Sequence, residues 1–565
     1  MNGYEDIIYD PNMVALILES EARSPAFLEN NPYIKYKTTV TGGYTILYVH
    51  YHDVDRIITT EGAYSSNVFP FVLGLLGSAD LESSGILQVH RQPFLNLMGS
   101  GVLLGFVGTG IDYTQAAFRY EDGSSKIQYI WDQTIRGGAP DGFHYGTEYD
   151  NQEINDALAL EDPREAVPHV DSVGHGTFLA SVAASREKGQ YIGAAPDSEL
   201  IVVKLKRANP LDYERLLIPT EQENAFSSAD VIMGVEYITE KAAELGRPVA
   251  ICIPLGTNIG AHDGGSSLEG YLSRVASITG TAVCVAAGNE GQAGHHTNFK
   301  LSNTGDTEDV EIRVGGGFQD INITMINFAG DRMSVAITSP TGEHITRVPA
   351  RSGSTYTQKL ILERATVLIE YQFPVGKHSI QYTKIHILSA TPGVWTITVY
   401  GDYVLDGSFH MWLPITGFVG PDTAFLVPKP NYTITIPATS TGVIACGAYN
   451  SANGSLSPTS SWGPSRLPAI RPDLVAPGVD VDGIFPSGPG KMSGTSVSAA
   501  ITAGACALLL QWGIVDGNDV FLDSYRIRAD LIAGCSRDPG KDYPNNQWGY
   551  GRLNLYNTFQ ALRPH

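Results

Sequence analysis

Residues 229–255 read ADVIMGVEYITEKAAELGRPVAICIPL, a helix-compatible stretch that ends at Gly246-Arg247-Pro248 and passes into a short apolar run. The same alternation holds from Gly101 to about Gly294, where the runs VLLGFV (102–107), ELIVVKL (199–205) and AVCVAA (282–287) are separated by longer stretches. Apolar strands alternating with helices predict an α/β fold, with a parallel sheet covered by helices on both faces.

Working outward, residues 1 to about 80 mix strand-like runs (YTILYVHYH) with short amphipathic ones (VDRIITTE), then pass through the Gly-rich LGLLGSADLESSG. That shift in composition marks a boundary. From about His296 to Pro430 the chain turns to short β-rich runs such as VEIRV, INITMINF, MSVAITS and WTITVYG, with Gly, Pro, Asp and Asn between them. An inserted all-β sandwich or jelly roll is expected there. ITAGACALLLQW then returns to a helical pattern, so the expected division is 1–82, 83–295, 296–430 and 431–565.

The chain's 565 residues and 43% hydrophobic content allow a large core and more than one domain. Its net charge of −22 opposes non-specific binding to nucleic acid or anionic membranes. The five cysteines are odd in number and four sit in apolar runs, so they read as buried thiols rather than a disulfide framework or a zinc site. The N-terminus MNGYEDIIYDPNM lacks the basic start and apolar stretch of a secretory signal, and no uninterrupted apolar run approaches the roughly 20 residues that span a bilayer. Cytoplasmic synthesis is the expectation.

Three clusters carry chemistry. In GHGTFLASVAA (174–184), His175 opens a helix, where an imidazole can take a proton from a nucleophile. In SGTSVSAA (493–500), Gly494 and the small residues Ser498, Ala499 and Ala500 let a helix start tightly behind Ser496. The third is AVCVAAGNEG (282–291). Together with SSWGPS (460–465), RPDLVAPGVDVDG (471–483) and the terminal WGYGRLNLYNTFQAL, these clusters resemble the subtilisin-like serine peptidases over most of residues 85–560.

The resemblance implies Ser496 as nucleophile with its hydroxyl facing His175, and Asn289 as an oxyanion donor. It implies a first specificity pocket lined by Leu255, Gly256, Ala286, Ala287 and Gly288. Ala500 stands where many relatives carry Pro. The residues before about 82 then correspond to a prodomain, a partner alongside a protein or peptide substrate. No cofactor is implied, and a structural calcium stays open because the chain has no EF-hand-like run of carboxylates.

One position departs from the pattern. Where the family has its triad aspartate at the end of a buried strand, this chain reads LLGFVGTGID (103–112), which puts Gly108 at that position and Asp112 at the second, non-catalytic aspartate. Three explanations stand: another carboxylate, with Asp112 and Asp171 nearest in sequence, serves His175; the chain is a naturally impaired peptidase or pseudopeptidase; or it is an Asp-to-Gly variant of an active parent. The inserted β-region between Asn289 and Ser496 makes the layout similar to the Csp germination proteases of spore-forming bacteria. In that group active members cut a precursor protein, and others signal. Spore association follows from that likeness, and the function classes to be separated are an endopeptidase and a binding or signalling pseudopeptidase.

Overall fold

The structure, a computed structural model, describes residues 3–19, 28, 31–60, 68–76, 82–92, 95, 97–187, 191–376, 378–467 and 469–562. The boundary expected within residues 76–85 falls partly on 77–81, outside the described residues.

At its centre lies an eight-stranded sheet in the order Leu474–Pro477, Ile444–Tyr449, Thr281–Ala286, Val249–Ile253, Leu103–Gly108, Glu199–Lys204, Ile127–Asp132 and Thr147–Asp150. All neighbours are parallel except the last pair. Side chains alternate across such a sheet. Leu104 and Phe106 accordingly join the core on one face, and Leu103 and Val107 join the core on the other. Both faces are covered, which is why the strands read as continuous apolar runs rather than alternating ones.

The helices His175–Ala184 and Thr495–Leu510 pack against each other on the first face. Thr495–Val515 is long and apolar enough to cross a membrane by composition, yet 89% of its most apolar window is buried inside the protein. It serves as the core helix against strands Thr281–Ala286 and Val249–Ile253. The helices Ser228–Glu244 and Ser267–Val275 cover the other face, and both begin at serine caps.

A three-stranded antiparallel sheet of Met13–Glu19, Tyr44–His50 and Ile34–Val40 lies on these two helices. Glu236 fixes it in place by accepting from both the backbone N–H and the hydroxyl of Thr41 at 2.8 Å. Residues 296–425 build two further antiparallel sheets, of six and five strands, around a core that includes Trp395, Ile397 and Met411. All five cysteines are buried and free.

Candidate active site

His175 opens its helix behind Gly174, whose φ of 81° is a left-handed conformation suited to glycine. Asp171 caps that helix: Oδ1 accepts from Gly174 N–H at 2.8 Å, and Oδ2 accepts from the N–H and hydroxyl of Thr177 at 2.8 and 2.7 Å. The turn after Gly108 packs on the same helical turn, with Gly176 N–H donating to Thr109 Oγ1 at 2.9 Å. The imidazole is 6% exposed. Burial lowers its pKa against the opposing pull of the Leu76 carbonyl and the Asp171 charge.

The two ring nitrogens differ. His175 Nε2 meets the Leu76 carbonyl at 3.3 Å, while Nδ1 is buried without a hydrogen-bond partner among the described residues. A carbonyl only accepts, so Nε2 carries the proton and Nδ1 is a bare lone pair. That tautomer is the reverse of what a general base for Ser496 needs. Neither nearby aspartate corrects it. Asp112 accepts from Thr114 and Gln115 and lies 3.6 Å from Arg164, and Asp171 is spent on the helix cap. The explanation in which either of them serves His175 is therefore set aside.

Gly108 ends its strand in a backbone conformation outside the left-handed region, so glycine is not required there for φ. A Cβ added at Gly108 would meet only Pro254 Cγ, at 4.0 Å. Among the described residues the position has room for a Cβ that the sequence does not supply.

Ser496 lies in the first turn of Thr495–Leu510, behind Gly494 with φ 142°. Its hydroxyl does not bond to His175 as expected from the motif. Ser496 Oγ donates to the Pro254 carbonyl at 3.1 Å. The physical reason is that His175 Nε2 already donates to Leu76 and offers no lone pair. Asn289 Oδ1 accepts from the N–H and hydroxyl of Thr495 at 3.0 and 3.2 Å. Fixing the oxygen in this way leaves the amide nitrogen as the free donor, the group an oxyanion site requires.

Two of the pocket residues, Leu255 and Gly256, pair with a strand that motif reading missed. Val72–Leu75 lies between Leu255–Gly256 and Phe226–Ser227 in a three-stranded antiparallel sheet. Gly74 pairs with Gly256, Leu75 with Leu255, and Leu73 with Phe226. Leu76 follows, 3% exposed, and its Cδ1 lies 3.0 Å from where a Gly256 Cβ would stand. Ala286 shares the core cluster of Leu76, whereas Ala287 and Gly288 run on from that strand, Ala287 O accepting from Thr435 N–H at 2.9 Å. Pro254 and Leu76 had no local signature, although the apolar run FVLGLL (71–76) is visible as a strand. No group of three or more His, Cys, Asp or Glu side chains suited to a metal occurs among the described residues.

Comparison with known proteins gives the chain's family and fold. The chain is 33% identical to the Clostridium perfringens CspB protease, whose structure superposes with a TM-score of 0.76 over 85% of this chain and 99% of that one. The C5a peptidases of Streptococcus pyogenes serotypes M3 and M1 are 23% and 24% identical over 73% of this chain. The chain spans about a third of their length, 35% and 34% respectively. The subtilase family profile matches residues 99–335 and 427–551, more than half of the sequence, and covers His175, Asn289 and Ser496. The chain belongs to the subtilase family.

Proposed function

We propose that the chain is a subtilisin-like serine endopeptidase whose turnover is limited by Gly108, that the N-terminal segment within residues 1–82 acts as its prodomain, and that it cuts a protein precursor in spore germination. The observation that carries this reading is the buried Nδ1 of His175, without a partner among the described residues in a site that otherwise holds a nucleophile and an oxyanion donor. In the reaction the ring proton moves to Nδ1, Ser496 Oγ attacks the scissile carbonyl as His175 Nε2 takes its proton and passes it to the leaving amine, and the Asn289 amide receives the developing oxyanion. The missing carboxylate would hold the proton on Nδ1 and stabilise the imidazolium.

Removing that group from a subtilisin costs about 3 × 10⁴ in turnover. From a typical value of about 10 s⁻¹, the chain retains on the order of 3 × 10⁻⁴ s⁻¹. Processing of its own N-terminal segment suffers less, because an attached substrate has an effective concentration of up to about 10⁵ M or more. Localisation to the spore, a jelly-roll identity for the insert and the domain division 1–82, 83–295, 296–430 and 431–565 are parts of the same proposal, supported by the likeness to CspB.

A second reading, a pseudopeptidase that binds and signals, is favoured by the Ser496 hydroxyl being bonded to Pro254 and by the 72–76 segment filling the cleft. Peptide turnover by the parent, Gly108→Asp and Ser496→Ala separates the two. The peptidase reading expects about a 10³–10⁴-fold gain from the aspartate and none from Ser496→Ala. No gain would hand the lead to the pseudopeptidase reading.

A further inference from the structure

The segment in the cleft also specifies what the cleft accepts, an inference that rests on the peptidase reading. Leu76 presents its carbonyl to His175, so the bond on its carboxyl side is the one offered, with Leu76 at P1, Leu75 at P2, Gly74 at P3 and Leu73 at P4. Leu73 and Leu76 are buried, 0% and 3% exposed.

Gly74 is the unusual member. Its backbone is extended and outside the left-handed region, so any residue could adopt it. What excludes a side chain is space. A Cβ at Gly74 would lie 2.8 Å from Ile415 Cδ1 and 3.1 and 3.2 Å from two ring carbons of Phe418. Both residues are 2% exposed and packed in the core, so a side chain here must displace the Ile415 δ-methyl and press on the Phe418 ring. Their turn is also tied down. Phe418 N–H donates to Ile415 O at 2.9 Å, and Thr416 N–H donates to the buried carboxylate of Glu290, next to Asn289, at 3.0 Å. His295 holds that carboxylate at 2.6 Å from its other oxygen.

We propose that Ile415 and Phe418 act as a specificity wall that selects glycine at P3, so that the site takes protein segments of the form apolar-Gly-Leu-Leu and cuts after the last leucine. The wall is contributed by the connection between Ser408–Trp412 and Ala424–Phe425, two strands of the inserted sheets, so this preference comes from the insertion rather than from the catalytic strands.

The test compares acetylated Phe-Val-Leu-Gly-Leu-Leu peptides bearing a chromogenic leaving group with versions carrying Ala or Leu in place of Gly, all with Gly108→Asp. Any bound N-terminal segment competes with each peptide alike and leaves the ratios intact. The expected result is a kcat/KM about ten- to a hundredfold lower for Ala, lower still for Leu, and a narrowed gap in Phe418→Ala. Equal rates for the three peptides would overturn the proposal. A second arm needs no catalysis: in Ser496→Ala, hydrogen exchange across residues 72–76 should rise on adding Gly74→Leu and fall again on adding Phe418→Ala. If Gly108→Asp cuts no peptide, the peptidase reading fails alone, and the exchange arm decides this inference. Unchanged protection in Gly74→Leu would overturn it.

Discussion

Two histidines on one segment, His169 and His175, show what the fold supplies and what it withholds. His169 is fully buried, with Nδ1 2.6 Å from Asp132 Oδ2, and its Nε2 accepts from Ile111 N–H at 3.1 Å. An N–H only donates, so His169 carries its proton on Nδ1, toward a carboxylate. His175 is in the opposite state, with the proton on Nε2 and no partner for Nδ1 among the described residues. The aspartate–histidine pairing that a serine peptidase needs is thus present, but it braces the turn after Gly108 instead of orienting the catalytic ring. Burial opposes ionisation of Asp132, yet the hydrogen bond from His169, with Lys204 and Thr134, outweighs it and holds the carboxyl below its ordinary pKa.

The comparison can be closed from the catalytic side or broken from the structural side. Gly108→Asp should give His175 what His169 already has, with the gain in peptide turnover set out above as the largest effect. Asp132→Asn should leave His169 and Lys204 without a charged acceptor in a buried site and destabilise the fold by about 1.5–3 kcal/mol, as read from urea unfolding. A loss under about 1 kcal/mol would mean that the pair is not a brace.

The smallest effect concerns pH. The folded-state pKa of His175 is lowered, so the fold favours the neutral ring. Its contribution to stability is therefore present above the ordinary histidine value of about 6.5 and lost as pH falls from there toward the folded value. For catalysis, the acid limb of the parent should lie below about 6.5, and a new carboxylate should raise it by about one unit or more. A kcat/KM profile of parent and Gly108→Asp checks this, and an unmoved limb would show that the new side chain does not reach the ring.

The sheet was legible in the sequence because each strand is buried on both faces and so appears as an unbroken apolar run, as in 102–107 and 249–253. The residues of the site were legible because the subtilase motifs are local: Gly-His-Gly-Thr, Gly-Asn-Glu-Gly and Ser-Gly-Thr-Ser each occupy one turn or one strand end. Gly108 was also visible as a departure from the pattern. What local reading could not give was pairing at long range. That Leu73 and Gly74 insert between strands from residues 226–227 and 255–256 depends on edges brought together only by folding. The close approach of Ile415 and Phe418 to a P3 side chain depends on where a connection between two inserted strands lies against the cleft. The hydroxyl of Ser496 was expected to face His175, and its turn to Pro254 follows from a tautomer that no sequence pattern encodes.

The measurement that reaches the central claim most directly is the position of the proton on His175. Long-range ¹H–¹⁵N correlation spectra of histidine-labelled protein above pH 7, assigned with His175→Ala, distinguish the two neutral tautomers. In the parent the proton is predicted on Nε2, with Nδ1 unprotonated, and in Gly108→Asp on Nδ1. A parent spectrum that already places the proton on Nδ1 would contradict the account, because His175 would then have found an acceptor without an aspartate at position 108.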